Sequence, residues 1–403
     1  MKINFQYGLR EEGMILANPS ALSSRYVPRR LPHREPQIER LASLFPELPK
    51  APFFRVVQLI GPTGTGKTST SLFFARSVEQ QSENVSTIYV NLKSLRSRDA
   101  DGFPWIVYTS ILSQLGAKPS RSLSAAEVFM KVVGELSRRQ KKLHLVIVDE
   151  ADELTGPRSL QGGQIVYNLT RLPELGVSNV AGVIFIARND DWARGLAPEE
   201  KSSLGALVVR FPPYTLSQLV DILLYRASEA LASPEALPEP VAEYIAEITV
   251  DMFERDVRKA LDVLLYSALI ADKEGSDKIT RLHVTRALAE IMGRSYLDDD
   301  AAKMLGRTER IVLAAALRAA GSSDTIYVSE QRVLEEAQAI CERLGIPPLG
   351  RREIATALQR LHDLGYIKVS GPLKIFVNLV AGENVEELLL GNTLRKARGS
   401  YNR

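Results

Sequence analysis

The chain has 403 residues, 45% of them hydrophobic and 25% charged, with a formal net charge of +3. That length allows two or three domains with cores of their own, and no apolar run approaches the ~18 residues of a membrane span. A soluble, cytoplasmic protein without membrane contact is expected. The single cysteine, Cys341, excludes an internal disulfide. The four histidines (His33, His144, His283 and His362) lack metal-ligand spacing and are expected at surface or capping positions.

Residues 1–50, rich in proline, arginine and serine, read as an arm that ends in a short amphipathic helix from Glu35 to Phe45. Across 51–214, strand-like runs alternate with helical stretches; the runs are FFRVVQLI, STIYVNL, LHLVIVDE, VAGVIFIAR and ALVVRF. This alternation predicts an α/β core, a mainly parallel sheet covered on both faces whose C-terminal edge presents loops to a ligand. The first run leads into LIGPTGTGKTSTSLFF. A glycine-rich loop can be a turn and nothing more. Here, however, Gly61, Gly66, Lys67 and Thr68 satisfy GxxxxGK[ST] between a strand and a helix, the context in which the motif cradles phosphate. Backbone N–H groups along Gly61, Gly64, Thr65, Gly66, Lys67, Thr68 and Ser69 would converge on phosphate oxygens. Lys67 would neutralise the β and γ phosphates of ATP or ADP, and Thr68 would ligate Mg2+.

The third run, LHLVIVDEAD, supplies the acidic partner. Asp149 would hold the metal through its shell, and Glu150 would orient and deprotonate an attacking water. The letters DEAD also suggest a helicase, but such an enzyme needs a second sheet domain, and the region that follows is helical. Asn189, after the fourth run, could position the water from the side. Arg258, in DVRKALDVL, could reach the γ phosphate, although an arginine on an amphipathic helix ordinarily faces solvent.

Between 215 and 298 the strand patterns give way to helical periodicity, predicting a small helical domain. Over 299–403, helices at about 307–320, 329–344 and 350–364 precede two short strands, YIKVS and KIFVNL, joined at Gly371-Pro372. Three helices and a hairpin make a winged helix-turn-helix. Lys and Arg outnumber Asp and Glu by 15 to 11 over 303–403, which places a modest basic bias there. In the third helix Ile354, Leu358 and Leu361 would pack inward, leaving Arg352, Thr356 and Gln359, with Arg351 beside them, on another face. Arginine and glutamine pair bidentately with guanine and adenine edges in a major groove. Lys368, Ser370 and Lys374 on the hairpin suit minor-groove or phosphate contact.

Phosphate loop, VIVDEAD strand, polar asparagine and downstream arginine, in this order, resemble an AAA+ ATPase. With YVPRRLPHREPQIERLA (26–42), FPPYTLSQLVDILLYRA (211–227) and the winged-helix tail, the chain resembles the archaeal replication initiators related to the eukaryotic origin recognition complex and its helicase-loading partner. The resemblance covers nearly the whole chain. It implies that Val27 and Pro28 lie against adenine and that Tyr214 and Arg226 line the nucleotide where core meets lid. It also implies a DNA-touching helical element between the second and third strands, with Arg96 and Arg98 as phosphate contacts. The partners it implies are double-stranded origin DNA, the replicative helicase and paralogous initiators, in a nucleoid-associated setting. One departure bears on turnover. LAPEEKSSLG puts Glu199 where the family usually carries an arginine that reaches into a neighbour's site, and Arg194 is off register. Slow hydrolysis is therefore expected, with the nucleotide serving as a conformational switch. A remodelling ATPase acting on another protein–DNA complex and a DNA-binding regulator with structural ADP are the alternatives.

Overall fold

The computed structural model describes residues 15–46, 48, 53–95, 103–118, 120–139, 141–155, 162–292, 299–321, 327–369, 374–377 and 388–391. Arg96, Arg98 and Ser370 lie outside them. The chain divides into two compact units, one comprising residues 23–225 and 249–259, the other 1–22, 226–248 and 260–403.

The first unit is built on five parallel strands, β1 (Arg55–Ile60), β2 (Val85–Asn91), β3 (Leu143–Asp149), β4 (Val180–Ala187) and β5 (Val208–Arg210), in the order β2-β3-β4-β1-β5. All five strand-like runs become strands. β3 and β4 are buried along their whole length, as expected for central strands covered on both faces. Their side chains alternate between two cores: Leu145, Ile147, Ile184 and Ile186 enter one, while Val146, Val148, Val183 and Phe185 enter the other. Helices α1 (Glu35–Leu44) and α2 (Lys67–Gln81) supply Leu41, Leu44, Phe74 and Val78 to the first core. Helices α3 (Phe103–Gln114), α4 (Ala125–Arg138) and α5 (Gly162–Thr170) line the second, where Tyr108 is buried and its hydroxyl accepts a hydrogen bond from Asn168. A short helix, α6 (Pro198–Leu204), carries Glu199 exposed, and nearby Arg194 pairs with Asp191 at 2.9 Å.

Three helices, α7 (Leu216–Ala230), α8 (Glu239–Met252) and α9 (Val257–Glu274), carry the chain between the units. The second unit contains α8 over most of its length, α10 (Arg281–Ile291) and α11 (Asp299–Met304). Residues 15–18 are tied to it, through a β-bridge between Leu16 and Leu231 and the Asn18 N–H donating to the Ala230 carbonyl. Its C-terminal part is a winged helix. Helices α12 (Arg307–Gly321), α13 (Glu330–Arg343) and α14 (Arg351–Asp363) enclose a core that includes Ile354, Leu358 and Leu361, and β6 (Ile367–Val369) pairs antiparallel with β7 (Ile375–Val377). A bridge from Val328 to Ile375 adds a third strand-like segment to the wing.

His144 departs from expectation, sitting inside β3 at 1% exposure, whereas His283, buried beside Glu274, caps α10, its Nδ1 accepting the Thr280 N–H at 3.1 Å. Cys341 is buried. Among the described residues no helix is long and apolar enough to cross a membrane, and no cluster of histidine, cysteine and carboxylate suits a metal.

Candidate functional site

The loop from Gly61 to Gly66 joins the C-terminal end of β1 to the first turn of α2, whose leading N–H groups have no partner within the helix. Gly66 caps α2 with φ 83°, a left-handed conformation that a side chain resists. A Cβ at that position would also stand 2.8 Å from the Tyr214 hydroxyl. Lys67, 8% exposed, folds back over the loop and donates from Nζ to the carbonyls of Gly61 (2.5 Å) and Pro62 (2.7 Å). Burial drives its pKa down to about 8; Asp149, Glu150 and Asp152 oppose that shift, and Arg258 adds to it. Lys67 is thus a desolvated cation resting on neutral carbonyls, an arrangement that an incoming anion stabilises.

Asp149, 3% exposed at the end of β3, gathers three donors. The Thr68 hydroxyl donates to Oδ2 at 2.8 Å, the Tyr89 hydroxyl to Oδ2 at 2.7 Å, and the Glu150 N–H to Oδ1 at 2.8 Å. Tyr89, on β2, is a site residue that the sequence reading missed; burial, first of all, raises its phenol pKa, so it stays a donor. Glu150 has φ 57°, unusual for a residue with a side chain, and is half-buried. Strain of this kind persists where surrounding contacts fix it and is characteristic of functional positions. Asp152 accepts the Arg188 N–H at 3.0 Å, anchoring the exit of β4 just before Asn189. Asn189 is exposed, and its side chain accepts the Asp191 N–H at 3.1 Å.

The site also contains Arg34, which the sequence reading passed over. Arg34 is 2% exposed, and its guanidinium donates to the carbonyls of Thr65 (2.8 Å), His33 (2.9 Å) and Pro212 (3.0 Å). It lies 3.7 Å from the centroid of the Tyr214 ring, so that face of Tyr214 carries a guanidinium. Among the described residues no carboxylate pairs with Arg34, and burial lowers its pKa. Burial likewise pushes the Tyr214 hydroxyl up to about 12. In the same unit Val27 is half-buried and Pro28 buried. Arg258 is held by Asp256 through two contacts.

In the second unit, Arg226 is buried and its guanidinium donates to the Ala21 carbonyl. On α14, Arg351, Arg352, Thr356 and Gln359 are exposed on the side opposite the core. Gln359 contacts Asp363 at 2.9 Å, and the Thr356 hydroxyl is spent on the Arg352 carbonyl. Lys368 and Lys374 are exposed, with Nζ of Lys374 5.3 Å from the Tyr327 ring centroid.

The donor set at Thr68 and Asp149 is hard oxygen, suited to Mg2+. Together with the loop, the α2 N-terminus and Lys67, the residues present fit a magnesium nucleoside polyphosphate. Sheet order, phosphate loop, paired strand-end acids and the downstream arginine define an AAA+ ATPase. Residues 55–191 match the AAA domain family, and residues 220–289 match the Cdc6 AAA+ ATPase-type lid domain. The chain is 31% identical over 361 residues to ORC1-type DNA replication protein 1 of Sulfolobus acidocaldarius, covering 89% of this chain and 86% of that protein. It is 30% identical over 363 residues to the ORC1-type DNA replication protein of Pyrococcus abyssi, covering 88% and 83%. Among solved structures it is similar to Cdc6p from Pyrobaculum aerophilum (TM-score 0.68, 25% identity, 95% and 99% coverage). It is also similar to the Aeropyrum pernix ORC1 protein in complex with DNA (TM-score 0.62, 28% identity, 96% and 98% coverage). The chain belongs to the ORC1-type, Cdc6-like family of DNA replication proteins.

Proposed function

We propose that this protein is a nucleotide-switched replication initiator that binds origin double-stranded DNA and helps recruit or load the replicative helicase, alongside paralogous initiators. In this reading Lys67 and the α2 N-terminus bind the phosphates, and Thr68 and Asp149 hold Mg2+ in place. The metal, when bound, neutralises charge on the β and γ phosphate oxygens. Glu150 takes the proton of the attacking water, Asn189 orients that water, and Arg258 meets the terminal phosphate. Val27, Pro28 and Tyr214 line the nucleotide. Glu199, exposed on α6, offers no cation to a neighbouring site, which favours slow turnover and long-lived ADP.

The observation that carries the DNA reading is α14. One side of the helix is committed to the core, and the other presents Arg352, Thr356 and Gln359 to solvent beside Lys368. Fluorescence anisotropy on an origin duplex and a shuffled one at fixed salt tests it. Arg352→Ala should weaken origin binding by about 1–3 kcal/mol and relax sequence preference, whereas Lys368→Ala should weaken both duplexes alike and flatten the salt dependence. Equal losses on both duplexes from Arg352→Ala would contradict base reading by α14.

A further inference from the structure

The turn that follows α8 holds two consecutive left-handed residues that are not glycine, Glu254 (φ 51°) and Arg255 (φ 64°). Several contacts fix it. The Arg255 N–H donates to the Thr249 carbonyl at 3.0 Å, the Asp256 N–H to the Phe253 carbonyl at 2.9 Å, and Arg255 Nη1 to the Tyr214 carbonyl at 3.3 Å. Strain of this kind survives where the surroundings over-determine it, and its effect here is to set Asp256 against the phosphate loop. The Asp256 carboxylate fills the space that a Cβ on Gly64 would need, and the next residue, Val257, donates its N–H to the Gly64 carbonyl at 3.4 Å.

The same carboxylate does two further things. Oδ1 accepts the Arg258 N–H at 2.9 Å, capping α9. The two oxygens also take the Arg258 guanidinium as a fork, Nε to Oδ1 at 3.0 Å and Nη2 to Oδ2 at 2.7 Å. Asp256 is largely shielded, at 14% side-chain exposure, whereas Arg258 is 46% exposed. The cation assigned to the terminal phosphate is thus gripped by a carboxylate built into the wall of the phosphate loop.

One edge of a guanidinium engages one carboxylate or one phosphate bidentately, not both. We infer that Asp256 is a specificity-determining residue: it competes with the terminal phosphate of a nucleoside triphosphate for Arg258 and so sets the ratio of triphosphate to diphosphate affinity. This rests on the reading that Arg258 meets that phosphate. A diphosphate brings no group to displace Asp256, so with ADP the Asp256–Arg258 fork stays closed. A triphosphate that takes Arg258 by the same edge must open the fork, and the cost of opening is subtracted from its affinity.

Equilibrium binding of ADP and of a nonhydrolysable ATP analogue to the full chain tests the inference in four forms: wild type, Asp256→Asn, Arg258→Ala and the double variant. Asparagine retains the helix cap while removing the charge; Asp256→Ser, a second uncharged cap, guards against a fault peculiar to asparagine. Asp256→Asn should raise the triphosphate-to-diphosphate affinity ratio about threefold or more, Arg258→Ala should lower it, and in the Arg258→Ala background Asp256→Asn should no longer move it. If Arg258→Ala lowers the ratio but neither Asp256 variant raises it, the competition is overturned while the role of Arg258 stands. If Arg258→Ala leaves the ratio unchanged, the role of Arg258 falls and the inference falls with it.

Discussion

In the proposed function Lys67 meets phosphate from an unfavourable resting state, and that state is measurable through protons. Burial holds its pKa at about 8 against an ordinary 10.5. The unfolded chain therefore binds this proton more tightly than the folded one, and stability present above pH 10.5 is lost as pH falls toward 8. Below pH 8 the nucleotide-free fold carries the whole penalty, about 3 kcal/mol. Phosphate beside Nζ restores the ammonium. At pH 8, where half the lysine is neutral, nucleotide binding should take up about half a proton, and affinity should fall about fivefold between pH 8 and 9. The window lies above the phosphate's own last pKa, near 6. Isothermal titration of ADP in buffers of different ionisation enthalpy measures the uptake directly. Zero uptake at pH 8 with a flat affinity from pH 7 to 9 would refute a desolvated Lys67 that meets phosphate, and Lys67→Met should abolish the linkage together with most of the binding.

Three further outcomes follow from the same geometry. Glu150→Gln should lower single-turnover hydrolysis by about 100-fold or more while leaving ADP affinity within about twofold; equal loss of both would make Glu150 a binding residue. Arg34→Met should cost about 2–4 kcal/mol of stability, because it strands the Thr65 and Pro212 carbonyls, and should weaken ADP at least tenfold through the loosened loop. Arg34→Lys should not restore it, since an ammonium lacks the planar fork, and full recovery would contradict the clamp. His144, hydrogen-bonded to Ser86 Oγ at 2.9 Å, has its pKa lowered to about 4, chiefly by burial. The unfolded chain protonates it near 6.5 and the folded chain only near 4. The stability it confers is full above pH 6.5 and is lost as pH falls through that window, by about 3 kcal/mol. Urea midpoints between pH 7 and 4 should show the slope, and His144→Asn should flatten it.

The parts of the site that were legible in the sequence are those that local patterns encode. The phosphate loop is a contiguous motif, and β3 and β4 are apolar runs long enough to be read without a partner. Ile354, Leu358 and Leu361 declare the inner face of α14 by helical spacing alone, and that spacing assigns Arg352 to the other side. Arg34 could not be read in this way. Its acceptors Thr65 and Pro212 lie 31 and 178 positions away, and both are main-chain carbonyls, which leave no trace in residue identity. Tyr89, 60 positions from Asp149, reads in the sequence as one more strand aromatic. His144 was misjudged for a related reason: a histidine in an apolar run reads as polar until the sheet order shows the strand covered on both faces. Asp256 was hidden by its own ordinariness, an acid before a helix. Only the left-handed turn that presses it onto Gly64 distinguishes it from a simple cap.

Nucleotide-dependent recognition of origin duplex is the core of the proposed function. Footprinting the full chain on the cell's candidate origin and on a shuffled duplex, at fixed salt with ATP or ADP, tests that most directly, because phosphate contacts alone can mimic affinity when salt varies. Protection should be confined to the origin, differ in extent between ATP and ADP and be weakened by Arg352→Ala. Equal, nucleotide-independent protection of both duplexes would contradict that function and favour an ATPase that remodels another protein–DNA complex.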